Sequence, residues 1–381
     1  MNELHSILEA WRGLQGEHRS AVLASVVHVS GSAYRRPGAR MLLLPDGKRI
    51  GSVSGGCLEG ELAKKAWWLT ESGEPSVRVY DTTSDDDAVW EFGLGCNGVV
   101  QVMLERVETP AIHEALTYLD ARRDSPVVMA TLVRVTSAAE THYAAGSRVF
   151  FDGERCGQSG LALLLWEDLR LAWLERRSRY VHVAGLEVFV EWIGPPQKLV
   201  IFGAGHDARP LVSISKQLGW HVTIADGRPA YACAANFPDA DRVVLFRAEA
   251  PLRGLSIDED TAVVLMTHNY PLDLRLLPAV LAHNPRYVGV LGPKNRAERL
   301  LDECGLAAPE NLHAPAGLDV GGEAPAAVAL SITAEIQAVL MSRKGGELRL
   351  REGSLHAPVL EVGRAEFRPL AAQPAYCELN G

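Results

Sequence analysis

One stretch constrains this chain more than any other. The apolar run Leu199-Val200-Ile201-Phe202 stops on Gly203-Ala204-Gly205-His206-Asp207-Ala208, and a helix-like stretch follows to Leu218. A G-x-G-x-x-A pattern directly after a strand has a physical reading. The first glycine permits the tight turn, the second lets backbone approach a phosphate, and Ala208 is small enough for the helix to pack on the strand. The helix N-terminus beyond it offers free N–H groups and a positive dipole to an anion. A second strand, His221 to Ala225, ends at Asp226, 23 residues after Gly203, where an acid can bond a ribose hydroxyl. Further strand-like runs, Ala262 to Met266 and Tyr287 to Leu291, alternate with helical stretches such as Leu274 to Ala282 and Ala326 to Met341. That alternation predicts a parallel, doubly wound, Rossmann-like sheet. Fold does not fix function, so a nucleotide in this domain stays open. Arg228 and Lys294 either add charge for an anionic ligand or are exposed surface residues. His206 and His268 fall where strand C-termini place ligand contacts, and a structural hydrogen-bonding role fits each equally well.

The period is different upstream. Gly194-Pro195-Pro196-Gln197 cannot continue a helix or a central strand and reads as a linker. Before it, residues 2 to 13 have helical spacing, and Ala21 to Val29 is strand-like. Arg40 to Leu44 and Lys48 to Val53 flank the hairpin signal Pro45-Asp46-Gly47. Val77 to Tyr80 and Val99 to Leu104 are further strands, and a helix-strand-hairpin-helix stretch runs from about Pro110 to Arg177. The expectation is an α/β chain in three parts. Residues 1–194 form a mixed α+β domain, 198–345 a Rossmann-like parallel-sheet domain, and 346–381 an irregular tail.

Composition excludes several function classes. Lys plus Arg number 38 against 47 Asp plus Glu, a formal charge of −9, which argues against nucleic acid as a partner. No apolar run approaches the roughly 18 residues that a membrane span needs, and the N-terminus lacks the marks of a secretory signal. The six cysteines are scattered without a CxxC pair, so neither a zinc ribbon nor a disulfide framework is suggested, and a cytoplasmic setting is expected. H-E-x-x-H, G-x-S-x-G and Walker A patterns are absent.

Two cysteines nevertheless have an unusual setting. Ser54-Gly55-Gly56-Cys57-Leu58-Glu59 places Cys57 beside a glycine turn at a helix start, where the helix dipole favours the thiolate. A thiolate there can attack, carry sulfur or ligate a soft metal; the plainer reading is a buried structural cysteine. Gly95-Cys96-Asn97-Gly98 repeats the theme at a strand start, or is simply an Asn-Gly turn. Arg35, Arg36 and Arg40 in SAYRRPGAR suit an anionic ligand such as a phosphate, or belong to a solvated loop.

These stretches together resemble the XdhC/CoxI family, accessory proteins of xanthine dehydrogenase and related molybdenum hydroxylases. The likeness rests on SGSAYRRPGARM, GSVSGGCLEGE, FGLGCNG, LVIFGAGHDARPL, LGWHVTIADGRP, VVLMTHNYPLD, YVGVLGPKNRAERL and PAGLDVGGEAPAAVALSITAEI. It covers most of residues 20 to 345 and leaves the tail out. The resemblance implies a chaperone without turnover of its own, with the molybdenum cofactor, in its molybdopterin form, as cargo. Such proteins protect the cofactor, support its sulfuration by way of a cysteine desulfurase, and insert it into the client hydroxylase. It also implies a homodimer. On that reading the candidate cofactor-binding residues of the first domain are Arg40, Ser54, Gly55, Gly56, Cys57, Glu59, Cys96 and Asn97. Cys57 and Cys96 are the candidate metal ligands, and Arg40 with the backbone around Gly55 and Gly56 would hold the pterin phosphate. In the Rossmann half the candidates are Gly203, Gly205, His206, Ala208, Asp226, Arg228 and His268. The alternative class is an NAD(P)-dependent oxidoreductase working through the Rossmann domain, which leaves the glycine-flanked cysteines without a role.

Overall fold

The computed structural model describes residues 2–17, 20–56, 58–81, 98–136, 143–352 and 360–364. The chain divides into two compact units. One runs over Glu3–Pro195 and takes in the strand Leu360–Arg364; the other runs over Pro196–Leu355. The connector 194–197 is neither helix nor strand, as two consecutive prolines dictate.

The first unit opens with α1 (Asn2–Glu17), β1 (Val22–Gly31), β2 (Arg40–Leu43), β3 (Arg49–Gly51), α2 (Glu59–Leu69), β4 (Ser76–Asp81) and β5 (Gly98–Arg106). It continues with α3 (Pro110–Ala121), β6 (Val127–Val135), β7 (Arg148–Phe151), α4 (Gly160–Glu175), β8 (Arg179–Val183) and β9 (Leu186–Ile193). Local chemistry sets several boundaries. Pro110 starts α3, the Ser159 hydroxyl caps α4 by accepting from the Ala162 N–H, and Gly47 turns the β2–β3 hairpin at φ +82°.

The two halves of this unit repeat one another. The first sheet contains the order β2-β1-β5-β4 and the second β7-β6-β9-β8, each covered by a helix, α2 or α4. The pairing of β1 with β5 slips one residue between Val26 and His28, and that of β6 with β9 slips between Leu132 and Arg134. Ser25 lies opposite Arg40 in one half, and Thr131 lies opposite Arg148 in the other. The inward faces then exchange charges. Arg40 is paired with Glu191 of β9, and Arg148 is paired with Glu105 of β5 at 2.5 Å. All four side chains are buried. Each arginine also donates to a glycine carbonyl two residues earlier, Gly38 or Gly146, at 2.9 Å. Gly38 must be glycine, because φ is +95° and a Cβ would lie 2.6 Å from the Glu191 carboxylate. α1 and α3 pack Ile7, Leu8, Trp11, Ile112 and Leu116 against Leu23, Leu42 and Met129 of the two sheets.

The second unit is the expected parallel sheet. Its strands are β10 (Lys198–Phe202), β11 (His221–Asp226), β12 (Arg242–Leu245), β13 (Thr261–Leu265), β14 (Tyr287–Val290) and β15 (Leu312–His313), in the order β12-β11-β10-β13-β14-β15. Central strands buried on both faces explain the unbroken apolar runs. α5 (Ala208–Gln217) and α8 (Pro325–Leu340) cover one face; α6 (Tyr270–Leu281) and α7 (Lys294–Cys304) cover the other. Strand order reverses between β10 and β13, and ligand crevices of doubly wound sheets lie at such switch points.

The tail departs from the expectation of an irregular 346–381. Leu360–Arg364 forms β16, paired in parallel with β8, and Glu361 meets the Nε2 of His28 at 2.8 Å. LEVGR has little strand signal of its own; a long-range partner supplies the pairing. Among the described residues no helix is long and apolar enough to cross a membrane.

Candidate functional site

β1, β3 and β4 run in the same direction, because each is one antiparallel step from β2 or β5. The ends of β1, β3 and β4, from which 32–39, 52–58 and 82–97 continue, therefore lie at one end of the first sheet. The second half of the unit is plainer at the matching places. There β7 turns back through Asp152 and Gly153 to a single antiparallel bridge, Phe151 with Cys156, and the chain reaches α4 at Gly160, whereas the first half makes the longer hairpin β2–β3 and then the Gly55-Gly56 turn before α2. Its β8 joins β9 through Ala184-Gly185 alone. The segments bearing the two glycine-flanked cysteines are thus longer than the matching connections of the repeated half, 157–159 and Ala184-Gly185. Cys57, Cys96 and Asn97 themselves lie outside the described residues.

What surrounds them is well defined. Glu59, at the start of α2, is buried, and its carboxylate organises the preceding loop. It accepts from the Ser52 hydroxyl at 2.9 Å, from the N–H groups of Val53, Ser54 and Gly56 at 3.2, 2.8 and 3.0 Å, and from the Ser54 hydroxyl. Ser54 Oγ in turn accepts from the N–H of Gly56 and of Leu58. Burial pushes the Glu59 carboxyl up, but these donors outweigh it and hold its pKa below the usual glutamate value. Gly55 and Gly56 are exposed, and Gly56 sits at φ +115° with open space beside it. The Tyr34 ring lies over Gly55, 3.5 Å from where a Cβ would be, and is 69% exposed. Gly98, the residue after Asn97, is pinned on the Ser30–Ser32 backbone, where a Cβ would come within 2.8 Å of three atoms.

Two of the expected roles are corrected by this geometry. Arg40 does not present its guanidinium to an anion; it is buried, 6% exposed, in the ion pair with Glu191. The Gly56 N–H is not free to hold a phosphate, because Glu59 and Ser54 already take it. Glu59 itself faces its own loop and acts as a positioning residue. Arg35 is likewise committed, to Glu3.

The Rossmann unit holds the second group. Gly203, at φ +115°, has room for no Cβ because the Met266 backbone lies against it, and Ala208 is fully buried under the helix. Gly203, Asp226, Arg228 and His268 line one cleft of about 540 Å³ at the switch point. Lys294 stands apart from it, exposed and near Glu298 at 3.8 Å. His206 is exposed on the glycine loop.

Asp226 is not left open for a ribose hydroxyl. It is 5% exposed and accepts from Ala204 N–H at 2.8 Å, Arg228 N–H at 2.9 Å, and Arg228 Nε and Nη2 at 3.0 and 2.7 Å. Burial raises its pKa, while the Arg228 fork and the two backbone donors more than reverse that and leave it below the ordinary aspartate value. Arg228 also lies 3.8 Å over the Tyr231 ring. A further pair carries no sequence signal: His268 Nε2 meets Asp207 Oδ2 at 2.7 Å and ties the glycine loop to the end of β13. His268 holds φ +54°, uncommon for a side chain with a Cβ.

Known proteins resemble this chain in sequence and in fold. Residues 199–336 match the XdhC Rossmann domain, and residues 14–81 match the XdhC and CoxI family. A Bacillus subtilis protein named as a probable xanthine dehydrogenase subunit is 33% identical over 340 residues, covering 88% of this chain and 97% of that one. The molybdenum cofactor insertion chaperone PaoD of Escherichia coli is 26% identical over 331 residues, 86% of this chain and 85% of its own. A crystal structure described as a xanthine dehydrogenase from Bacillus halodurans superposes with a TM-score of 0.72 at 32% identity, over 89% of this chain and 97% of that one. With both halves matched and that identity sustained over nearly the whole length, this chain belongs to the XdhC and CoxI family.

Proposed function

We propose that the protein carries the molybdenum cofactor as cargo and hands it to xanthine dehydrogenase or a related molybdenum hydroxylase. The relatives support this: one is named a molybdenum cofactor insertion chaperone and another is named for xanthine dehydrogenase. The observation that carries it within this chain is the placement of the strands that precede the cysteine-bearing segments. β3 and β4, from which 52–58 and 82–97 continue, finish at the same end of one sheet, and the matching connections of the repeated half are shorter. Molybdenum with sulfur ligands is a soft centre, and thiolates are the protein groups suited to hold it. Cys57 and Cys96 are the proposed thiols, with Glu59 fixing the loop that carries the first. The protein would protect the cofactor while a terminal sulfido group, supplied through a cysteine desulfurase, replaces an oxo ligand. A homodimer working in the cytoplasm belongs to the same reading. The geometry disfavours the NAD-dependent form of the oxidoreductase class, since Arg228 takes the acid at the end of β11.

A reconstitution tests this. Protein purified from cofactor-producing cells is mixed with apo-hydroxylase from cells that lack the cofactor, with and without a cysteine desulfurase and cysteine. Hydroxylase activity that appears only with this protein present, and rises with the desulfurase, is the expected outcome. Equal activation by free cofactor alone, at matched concentration and under protection from oxygen, would contradict a chaperone role.

A further inference from the structure

The switch-point cleft lacks two things that NAD binding requires. The first is an open glycine loop. The second glycine of the fingerprint serves to let a pyrophosphate approach backbone. Here a Cβ on Gly205 would collide with Asp207 Oδ1, so a carboxylate already covers that face. His268 holds the carboxylate in place at 2.7 Å. A pyrophosphate would meet a like charge at close range, which costs energy. The second missing element is a free ribose acceptor. Both oxygens of Asp226 are taken by Ala204 and by the fork of Arg228.

What remains open in the cleft is cationic and aromatic. The Arg228 side chain is about half exposed, at 51%, with one side of its guanidinium on Tyr231. Arg275 is exposed and also lines the cleft; among the described residues it has no carboxylate partner, only a long hydrogen bond to the Ala248 carbonyl at 3.5 Å. Phe246 and Tyr270 give the walls apolar surface for a flat ring. The volume, about 540 Å³, is that of a small-molecule site.

We propose that this cleft binds a heterocycle carrying a single phosphomonoester, held by Arg228 and Arg275, and that the Asp207–His268 pair together with the occupied Asp226 excludes NAD. The ligand is either a mononucleotide or a pterin phosphate, which share this chemistry. The mononucleotide arm goes beyond the cargo reading, and the pterin-phosphate arm rests on it.

Isothermal titration of the full chain with AMP, CMP and NADH tests it, beside the molybdopterin that copurifies with the protein. Arg275→Leu is the main variant, because it strands no buried charge; Asp207→Asn is the second. Binding of AMP or CMP that weakens at least tenfold in Arg275→Leu supports the proposal with a mononucleotide as ligand. Molybdopterin content that falls in Arg275→Leu, with no mononucleotide binding, supports it with a pterin phosphate. In either case NADH binds the wild type weakly or not at all, and Asp207→Asn, which leaves Asp226 closed, does not by itself restore tight NADH binding. Wild type that takes NADH as tightly as AMP overturns the proposal. So does an Arg275→Leu variant that leaves mononucleotide binding and molybdopterin content both unchanged.

Discussion

Replacing Arg40 by Met separates a structural arginine from a phosphate ligand. Arg40 and Glu191 are each 7% exposed at the side chain, and the arginine also satisfies the Gly38 carbonyl. Removing the arginine leaves a buried carboxylate without its counter-charge, a change that costs about 3–5 kcal/mol. Replacing both partners, as in Arg40→Met with Glu191→Leu, strands no charge and recovers most of that loss. Because the chain has two units, a single global transition is the wrong readout. Hydrogen exchange measured on peptides from β1 and β9 reports the unit directly. At about 1.4 kcal/mol per tenfold, the single variant speeds exchange there by roughly 10²-fold or more. The double variant comes back to within about tenfold of wild type. Cofactor bound per folded chain stays at the wild-type level in the double variant. Near-normal protection in Arg40→Met combined with lost cofactor would refute the reasoning and return Arg40 to the anion site.

Two more outcomes follow from the same geometry. Glu59 has its pKa depressed in the folded state, so its stabilisation is present above the unfolded value, 4.5, and is lost as pH falls through the folded one. The stability gap between wild type and Glu59→Gln, followed by chemical denaturation from pH 7 to pH 3, therefore narrows as pH drops below about 4.5; a gap that widens contradicts the assignment. Gly203→Ala adds a Cβ against the Met266 backbone at φ +115° and is expected to destabilise the Rossmann unit by more than about 3 kcal/mol, read by exchange in β10 and β13.

How much of this is legible in the sequence depends on how local each cause is. The Rossmann strands announce themselves because a strand buried on both faces needs an unbroken apolar run, and the glycine turn after Phe202 is a neighbour effect. The β2–β3 hairpin is local as well. β16 is not: its pairing with β8 joins residues far apart in the chain. Arg40 is misread for the same reason, since its neighbours Pro37 and Gly38 resemble a surface loop while its partner lies 151 residues away. Asp226 shows the opposite failure. Its partner Arg228 is only two residues on, and DGR itself allows the fork, but the fingerprint points the acid at a ribose. The internal repeat escapes notice because segments 52–58 and 82–97 are longer than their counterparts and spoil any fixed period, and the swapped ion pairs become visible only with strand register.

The central claim is that the two cysteine-bearing segments of the first unit hold the cofactor. Molybdenum and molybdopterin bound per chain, measured on anaerobically purified wild type, Cys57→Ala and Cys96→Ala, test it most directly. Near-stoichiometric cofactor in wild type that falls severalfold in at least one variant, while both variants stay folded, is the predicted result. Wild type that carries no cofactor, or variants that carry as much as wild type, would contradict the account.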